Sequence, residues 1–529
     1  MATIRFSIDD REVEVEEGQT VLDGARRAGV DIPTLCHLER CGPLTTCLAC
    51  VVKVVGESGS RIVPSCATRA TEGLRVQSET AEVRELRRSA LELLLSDHVG
   101  DCLSPCSRIC PLGLDIPRML REVRDDALPR ALATVRETLP LPGVLGRLCH
   151  HPCENGCRRS SCDGAAAIRD VERFVAEAPR DPGADALPVC RPASGRRVAV
   201  VGAGPAGLAA AWRLVRAGHA CEVFDRGSRV GGTLWEAVER GKLPEAVLRR
   251  DVADLERLGV RFRTGWELGR EATLSDLKSD HDAVLLTVGT PTREAAEGWG
   301  VGCGAGGIRL LEGEGYRTCV PGVFAAGSAV KGIPQVVRAM AEGRRAADAI
   351  DAALAGRASA GGGRVFSSVM GRLEAAELQL FLEGASAEKR IPVDASAVYG
   401  ADEARRESAR CLHCDCRAAG NCRLQRYSAL YGAEFGRFPR QRRAFEQQRH
   451  PARVLFEPGK CILCGICVVL AERAAEPLGL TFVGRGFEVR VAAPMGEGFD
   501  RGLQKAAVEC AEACPTGAIR VEDGAGADS

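Results

Sequence analysis

The residues most able to do chemistry are the 25 cysteines of this 529-residue chain, most of which lie in short C-x2-C or C-x3-C runs. Closely spaced thiolates are typical ligands of zinc and of iron–sulfur clusters. A disulfide framework is the alternative, but such frameworks suit small secreted domains that lack a large core. This chain is long enough for three or four domains, each with its own core. The grouping therefore favours metal–thiolate sites.

The first group of thiols follows two short alternating strands (3–8 and 12–15) and a helix (20–28). Three thiols stand in a Gly/Thr-rich loop and the fourth follows a predicted strand pair; they are Cys36, Cys47, Cys50 and Cys66. One loop wrapped around a compact centre suits a [2Fe–2S] cluster. Zinc, the alternative, usually has two closely spaced ligand pairs, and this group has one. Cys41 lies in the loop but off the pattern, and we expect it not to be a ligand.

Two groups near the end of the chain suit [4Fe–4S] clusters. One has four thiols within twelve residues, and zinc remains its alternative: Cys411, Cys414, Cys416 and Cys422. The other has the spacing of a bacterial ferredoxin site, with a distant Cys-Pro: Cys461, Cys464, Cys467 and Cys514. A second ferredoxin site is expected to be lost, because Ala471, Gln504 and Ala507 stand where thiols would be needed. Cys510 is then left over.

A glycine-rich turn predicts a nucleotide site. An apolar run (198–201) predicts a buried strand, and a helical pattern follows the turn, which contains Gly202, Gly204, Pro205, Ala206 and Gly207. Gly202 permits the tight turn, Gly204 lets the backbone approach a pyrophosphate, and Gly207 allows close helix–strand packing. The helix N-terminus would face the phosphates. Asp225, at the end of the next predicted strand, would accept a hydrogen bond from a ribose hydroxyl.

Composition limits the class of partner. Lys and Arg together number 71, as do Asp and Glu, so the formal charge is zero and there is no basic footprint for nucleic acid. The N-terminus is acidic and alternating, unlike a signal or transit peptide. No apolar run approaches the roughly 18–20 residues of a membrane span. We expect a cytoplasmic protein, with a peripheral place in a membrane-attached complex left open.

The N-terminal part resembles the iron–sulfur G subunit of NADH:quinone oxidoreductase and related hydrogenase and formate dehydrogenase subunits. The resemblance rests on the β-grasp start, the first cysteine spacing and the helix that ends in LELLLSDHVGDC. In that family a His-x3-Cys pair begins a [4Fe–4S] site with one histidine ligand, and His98 and Cys102 match it.

From Cys102 the chain resembles a second family, the glutamate synthase small subunit and the N-terminal part of dihydropyrimidine dehydrogenase. The segments CLSPCSRICPLGLDIP and GRLCHHPCENGCRR carry this resemblance. It implies a helical domain with two [4Fe–4S] clusters. One would be held by His98, Cys102, Cys106 and Cys157, and the other by Cys110, Cys149, Cys153 and Glu172. Cys162 is an alternative to Glu172 as the fourth ligand of the second cluster.

The same family implies FAD in the nucleotide domain. Gly231 and Gly232 match a pair that lies near the isoalloxazine. Gly289 ends a predicted strand (281–290), and the segment 321–350 resembles the closing flavin motif, with Gly327, Ser328 and Gln335. The family usually has Asp where Ser328 stands, so the charge is missing here.

The family's NADPH-binding unit is absent from the sequence pattern. Only about 30 residues separate the segments that flank it, which one βαβ unit alone would fill. A GxGxxG match at Gly302–Gly307 is expected to be a loop, because no strand precedes it and no helix follows.

The expected fold class is multidomain, α/β and α+β. Its predicted parts are a β-grasp [2Fe–2S] domain (1–80), a helical two-[4Fe–4S] domain (81–180), a single FAD-binding Rossmann-type domain (196–356), a helical segment with a [4Fe–4S] cysteine group (365–450) and a ferredoxin-like [4Fe–4S] domain (451–529). Linkers are expected at 177–196 and 355–363, a charged helical arm at 423–453, and a disordered acidic tail at 522–529.

The expected cofactors are FAD, one [2Fe–2S] and four [4Fe–4S] clusters. Such clusters carry single electrons, whereas FAD accepts two and releases them singly. We expect an electron-transferring subunit of an oxidoreductase complex, relaying electrons between a partner NADH diaphorase-like subunit and a ferredoxin, hydrogenase or dehydrogenase partner. The alternatives are a self-sufficient NAD(P)H-dependent flavoprotein and an iron–sulfur scaffold whose flavin site is vestigial, as Ser328 suggests.

Overall fold

The computed structural model describes residues 2–57, 59–179, 187–304, 306–357, 366–394, 397–418, 420–438 and 442–522. The chain forms two compact units. Unit 1 comprises Met1–Ser104, Val365–Gly384 and Cys414–Ser529, and unit 2 comprises Pro105–Arg364 and Ala385–His413. The chain therefore passes from unit 1 into unit 2 twice, and each unit is built from separate stretches of the sequence. Residues 180–186 and 358–363 of the predicted linkers, and residues 523–529 of the predicted tail, lie outside the described residues.

Unit 1 begins with a five-stranded sheet. The elements of this part are β1 (Thr3–Ile8), β2 (Arg11–Glu16), α1 (Val21–Arg27), β3 (His37–Leu38), β4 (Gly42–Pro43), β5 (Val51–Gly56), β6 (Gly59–Pro64), β7 (Arg75–Gln77) and α2 (Ala81–Ser96). The strand order is β2–β1–β7–β5–β6. Alternate residues of β1 and β2 are buried, because side chains alternate between the two faces of a strand. Thr20 caps α1 by a capping box with Asp23.

Unit 2 begins with six helices: α3 (Pro105–Ile109), α4 (Ile116–Arg124), α5 (Leu128–Thr138), α6 (Pro142–Leu148), α7 (Pro152–Asn155) and α8 (Ile168–Glu177). Proline lies in the first turn of α4, α5, α6 and α7, where its missing N–H costs no hydrogen bond. A Cβ on Gly146 of α6 would lie 2.8 Å from the Cα of Arg173, so glycine lets α6 cross closely over α8.

A Rossmann-like domain follows in unit 2. Its elements are β8 (Arg197–Val201), α9 (Pro205–Arg216), β9 (Ala220–Asp225), α10 (Leu234–Glu239), α11 (Glu245–Arg257), β10 (Arg261–Thr264), α12 (Leu274–Asp280), β11 (Ala283–Leu286), α13 (Arg293–Gly298), β12 (Cys303–Gly304), β13 (Gly307–Ile308), β14 (Val323–Ala325) and α14 (Val336–Leu354). The sheet has the order β10–β9–β8–β11–β14, and every pairing is parallel.

No second parallel sheet of this kind occurs in the described part of the chain. The second GxGxxG match forms the antiparallel pair β12–β13, joined by residues that include the undescribed position 305. It is a short hairpin rather than the loop that the sequence predicts, and it lacks the strand–turn–helix arrangement of a dinucleotide site.

The remaining elements are α15 (Ala375–Leu382), α16 (Ala401–Ser408), α17 (Arg423–Tyr431), β15 (Gln448–His450), β16 (Val454–Phe456), α18 (Ile466–Arg473), β17 (Thr481–Val483), β18 (Arg490–Ala492), α19 (Phe499–Gly502), α20 (Ala507–Ala513) and β19 (Ile519–Val521). The strands β15, β16 and β19 form a sheet in unit 1. The prediction of a charged helical arm over 423–453 is wrong beyond Tyr431, where α17 ends. Gly432 ends α17 with a left-handed backbone (φ +64°), and the described residues up to β15 form no further helix.

Candidate metal and nucleotide sites

The four N-terminal thiols meet as two close pairs in unit 1. Cys36 Sγ lies 3.3 Å from Cys47 Sγ, and Cys50 Sγ lies 3.3 Å from Cys66 Sγ. All four residues are buried. Cys50 directly precedes β5, so the sheet holds one end of the loop. Two thiol pairs suit a cluster with two irons, each bound by one pair.

Within each pair, the two thiols also shift each other's pKa. The hydrogen bond between Cys36 and Cys47 lowers the pKa of Cys36 to about 5, and the one between Cys50 and Cys66 lowers the pKa of Cys50 to about 7. The same hydrogen bonds raise the pKa values of Cys47 and Cys66. Since thiolates are the form that binds iron, two of the four ligands already favour that form. Cys41 is only partly buried, and burial raises its pKa.

The ferredoxin-like thiols line one cavity of unit 1. Its walls include Cys461, Cys464, Cys467 and Cys514. Burial raises the pKa of Cys461 to about 12, and that of Cys464 still further. Thiols desolvated in this way remain protonated unless a positive centre binds them.

Cys510 lines the same cavity. Its thiol lies 3.8 Å from the carbonyl oxygen of Cys467, to which it can donate. Ala471 and Ala507, at positions where a second site would need thiols, are buried in the apolar core.

Unit 1 also brings together two segments that lie about 300 residues apart in the chain. The Cys416 N–H donates to the Cys102 carbonyl oxygen at 3.3 Å. Cys102 and Cys416 both raise the pKa of Cys422, to about 12, although burial is the larger cause. All three residues are buried. The structure thus groups Cys102 with Cys416 and Cys422, a grouping different from the one predicted.

His98 belongs to the same region. Its Nδ1 is shielded from solvent and has no hydrogen-bond partner among the described residues. Burial, and secondarily the Lys460 ammonium, lower the pKa of His98 to about 3. Lys460 in turn lies beside Cys416. The imidazole is therefore neutral, which is the form that binds metals.

Unit 2 gathers three thiols around Glu172. The Glu172 carboxylate raises the pKa values of Cys110, Cys149 and Cys153, in each case after burial as the main cause. Glu172 is only 7 % exposed, and its Oε1 has no hydrogen-bond partner within the described ranges. Burial raises its own pKa to about 8. Cys162, the alternative ligand, is exposed.

The remaining thiols of unit 2 lie on adjoining segments. Cys106, Cys157 and Cys411 belong to one core or pack against it. A Cβ on Gly156 would lie 3.1 Å from the Pro105 carbonyl oxygen, so the residues beside Cys157 and Cys106 touch. Cys411 is tied to the same loop, because Arg159 donates to the carbonyl oxygen of Arg410 at 2.5 Å. Cys414 is assigned to unit 1 and stays a sequence prediction.

No group of three or more His, Cys, Asp and Glu side chains is arranged to hold a single metal ion in the ranges that the structure describes.

The nucleotide turn has the geometry of a phosphate-binding loop. A Cβ on Gly202 would lie 2.3 Å from the Thr287 carbonyl oxygen, and one on Gly207 would lie 1.9 Å from the Gly202 carbonyl oxygen. A Cβ on Gly204 would meet no atom within 4 Å. Gly202 and Gly207 are therefore required by close packing. Gly204 leaves open space where a pyrophosphate could approach α9, which begins at Pro205.

The other predicted nucleotide residues surround this turn. Asp225 accepts from the N–H groups of Ala203 (2.6 Å) and Gly227 (2.7 Å), so it holds the loop. A Cβ on Gly232 would lie 2.9 Å from the Gly204 Cα. Thr290, which follows Gly289, donates to the Ser328 carbonyl oxygen at 3.4 Å.

The residues of the predicted closing flavin motif lie just before and within α14. A Cβ on Gly327 would lie 2.8 Å from the Ala206 Cβ, and one on Gly343 of α14 would lie 1.9 Å from the Ala206 carbonyl oxygen. Gln335 stands at the N-cap position of α14, and its side chain makes no capping hydrogen bond. The Ser328 hydroxyl accepts from the Ile333 N–H at 3.4 Å. Gly327 and α14, which follow the last strand of the domain, thus pack against the glycine turn.

Sequence reasoning missed two features. Local spacing assigned Cys416 and Cys422 to the thiols nearest in sequence, whereas Cys102 lies beside them in space. Lys460 was also missed, although a lysine directly before a C-x2-C-x2-C run is visible in the sequence.

The folds and thiol groups define a set of cluster-binding domains combined with a Rossmann-like nucleotide domain. Four protein families match these parts. The 2Fe-2S iron-sulfur cluster binding domain matches residues 1–81, and the dihydropyrimidine dehydrogenase domain II, 4Fe-4S cluster, matches 96–183. The NAD(P)-binding Rossmann-like domain matches 200–247, and the 4Fe-4S single cluster domain matches 454–521. The predicted multidomain fold class is confirmed.

Several curated proteins are similar to part of the chain. The NADP(+)-dependent formate dehydrogenase subunit beta of Moorella thermoacetica is 35% identical over 241 residues, covering 42% of this chain and 32% of that protein. The dihydropyrimidine dehydrogenase subunit PreT of Escherichia coli K12 is 32% identical over 211 residues, covering 39% and 51%. The glutamate synthase [NADPH] small chain of Bacillus subtilis 168 is 34% identical over 180 residues, covering 34% and 36%.

The chain thus spans about a third to a half of the length of these relatives. The matches confirm the predicted mosaic resemblance. The match to a solved NAD+-reducing [NiFe]-hydrogenase covers 100% of this chain and 91% of that chain at 13% identity, with a TM-score of only 0.36. No helix in the described ranges is both long and apolar enough to cross a membrane.

Proposed function

We propose that this chain is an electron-transferring FAD/iron–sulfur subunit of an oxidoreductase complex. The observation that carries the proposal is the gathering of sequence-distant thiols into separate sets, in a chain that also contains one Rossmann-like domain. Iron–sulfur clusters supply one-electron transfer and FAD joins one- to two-electron chemistry. The similar proteins named above include a subunit beta of a formate dehydrogenase, which supports membership of a complex.

The proposed cofactors are FAD, one [2Fe–2S] and four [4Fe–4S] clusters. In unit 1 the ligand sets are Cys36, Cys47, Cys50 and Cys66 for the [2Fe–2S] cluster, Cys461, Cys464, Cys467 and Cys514 for one [4Fe–4S] cluster, and His98, Cys102, Cys416 and Cys422 for another. In unit 2 they are Cys110, Cys149, Cys153 and Glu172 for a third [4Fe–4S] cluster, and for the fourth [4Fe–4S] cluster a set that includes Cys106, Cys157 and Cys411. Cys414 follows Cys411 at the x2 spacing and remains a predicted ligand.

The two non-thiol ligands fit this assignment. A shielded imidazole nitrogen without a hydrogen-bond partner, at His98, has a lone pair to offer. A buried carboxylate oxygen without a partner, at Glu172, is costly unless a positive centre meets it. Glu172 lies beside three thiols, so it would complete a set of four. His98 lies beside Lys460, which neighbours Cys416, so it is proposed as the fourth member of that set.

The sites of unit 1 are close enough to form a path. The thiolate of Cys36 affects the pKa of Cys464, so the first two sets are neighbours. The Arg423 N–H, next to Cys422, donates to the carbonyl oxygen of Pro515, next to Cys514, at 3.0 Å. We infer that electrons pass from the first set through the ferredoxin-like set to the set containing His98, or in reverse.

The nucleotide domain is proposed to bind FAD and not NAD(P)H. Gly204 leaves room for a pyrophosphate, and Gly232 and Gly327 pack against the same turn. The proposed partners are an NADH diaphorase-like subunit on one side and a ferredoxin, hydrogenase or dehydrogenase on the other. A cytoplasmic location is part of the proposal.

The second candidate is a self-sufficient NAD(P)H oxidoreductase, which the match to an NAD(P)-binding family over residues 200–247 favours. The anaerobically purified chain separates the two. We expect FAD and about 18 iron atoms per chain, with a flavin that NADH or NADPH alone does not bleach but dithionite does. Bleaching by either nucleotide would establish the second candidate, and iron without flavin would indicate a scaffold.

A further inference from the structure

We propose that Lys460 is a positioning residue whose buried ammonium sets the reduction potential of the cluster held by His98, Cys102, Cys416 and Cys422. The inference rests on that proposed ligand set and adds the residue that tunes it. Lys460 is only 3 % exposed. Buried lysines are almost always paired, and Lys460 is paired with the equally buried Glu457.

The stem of Lys460 is fixed by two glycines of unit 1. A Cβ on Gly100 would lie 2.6 Å from the Lys460 Cε, so the chain between His98 and Cys102 passes directly over the side chain. A Cβ on Gly517 would lie 2.3 Å from the Cys416 Sγ and 3.6 Å from the Lys460 Cδ. The lysine side chain thus runs beside both halves of the proposed ligand set.

The backbone and the charge of Lys460 are also held. Its carbonyl oxygen accepts from the Thr516 hydroxyl at 3.0 Å, and its N–H donates to the Glu457 carbonyl oxygen at 3.0 Å. The ammonium donates to the Glu457 carboxylate, which is itself 4 % exposed. This ion pair keeps a cation in a region from which water is excluded.

The cation lies beside one ligand of the proposed set. A Cβ on Gly517 would touch both the Cys416 Sγ and the Lys460 Cδ, so the lysine side chain passes close to this thiol. Reduction adds one electron to a cluster, and a fixed positive charge in a low-dielectric surrounding stabilises the added negative charge. Lys460 should therefore raise the potential of this cluster above that of a site without it.

The test is a redox titration of the anaerobically purified full chain, followed by electron paramagnetic resonance. In Lys460→Met we expect the ratio of reduced to oxidised cluster, at a fixed potential, to fall at least tenfold for this cluster alone. Tenfold corresponds to about 59 mV for a one-electron couple. Lys460→Arg, which keeps the charge, should restore most of the ratio. Lys505→Met, at an exposed lysine of the same unit, should leave it unchanged.

A second variant guards against misfolding, because Lys460→Met alone leaves Glu457 buried without its partner. The double variant Glu457→Gln/Lys460→Met removes both charges, and we still expect a fall, smaller than in the single variant. A wild-type potential in the double variant, or a shift in Lys460→Arg as large as in Lys460→Met, would overturn the inference.

His98→Cys identifies the signal and separates the two proposals. If His98→Cys changes one signal but Lys460→Met leaves its potential unchanged, the role of Lys460 fails while the ligand set stands. If His98→Cys changes no signal, the ligand set fails and the inference fails with it.

Discussion

Glu172 offers the sharpest test of the ligand sets, because its protonation opposes coordination. Its pKa is raised to about 8 by burial, against an ordinary value of 4.5. Below pH 8 the metal-free pocket therefore holds a protonated carboxyl, which must lose its proton to bind iron. That cost grows by about 1.4 kcal/mol, or tenfold in affinity, for each pH unit below 8. At pH 6 it amounts to about 2.7 kcal/mol.

Glu172→Gln removes the proton but keeps the size and one oxygen ligand. The thiols of Cys110, Cys149 and Cys153 must also lose their protons to bind iron in both proteins. Their contribution to the pH dependence of affinity therefore cancels when the two proteins are compared. We expect the affinity of the wild-type site, relative to that of the variant, to fall about tenfold per unit as the pH is lowered from 8 to 6. Cluster occupancy is measured by paramagnetic resonance in anaerobic competition with an iron chelator across this range.

The matched control is Glu177→Gln on the same helix, since Glu177 is paired with Arg147 at 2.5 Å and, unlike Glu172, does not shift the pKa of Cys110, Cys149 or Cys153. It should keep the wild-type pH profile. Parallel profiles for wild type and Glu172→Gln would refute the reasoning. Cluster loss in Cys162→Ala, with retention in Glu172→Ala, would assign the ligand to Cys162 instead.

Three further predictions concern stability, flavin and the leftover thiol. The Arg442 guanidinium, 2.6 Å from Glu377, holds the pKa of that carboxyl at about 2. Glu377→Gln should therefore lower the free energy of unfolding by about 3 kcal/mol at pH 7, and the difference should vanish as the pH falls from 4.5 to 2, as measured by anaerobic urea denaturation. Gly204→Ala should reduce flavin content without changing the thermal unfolding temperature, whereas Gly207→Ala should lower both; equal unfolding temperatures for the two variants would contradict the packing described. Cys510→Ser should leave the iron content and all resonance signals unchanged, because the thiol donates to a carbonyl; loss of a signal would make Cys510 a ligand.

Local patterns predicted the local structure well. The glycine turn from Gly202 to Gly207 lies between a strand and a helix, because all of its constraints come from neighbouring residues. The β-grasp start and the ferredoxin-like part match their families for the same reason. The helical arm failed after Tyr431, where Gly432 supplies a left-handed cap that overrides the helix-favouring charged residues.

The grouping of thiols across the chain could not be read from spacing. Cys414, Cys416 and Cys422 lie close in sequence, but spacing carries no information on which distant segment meets them. The hydrogen bond between Cys416 and Cys102 depends on how the intervening residues fold and return. The pairing of Glu172 with its three thiols was predicted through the resemblance to the glutamate synthase small subunit family, whose motifs cover both cysteine runs and the following helix.

The split between Cys102 and Cys416 has a consequence for biosynthesis. At about 5–20 residues per second, a ribosome needs on the order of half a minute to reach the second half of this site after completing the first. During that interval the two N-terminal members of the proposed set, His98 and Cys102, lack their partners Cys416 and Cys422. Iron would therefore reach this proposed centre only after both segments of unit 2 have been synthesised, whereas the four thiols of the proposed N-terminal cluster are complete early in synthesis.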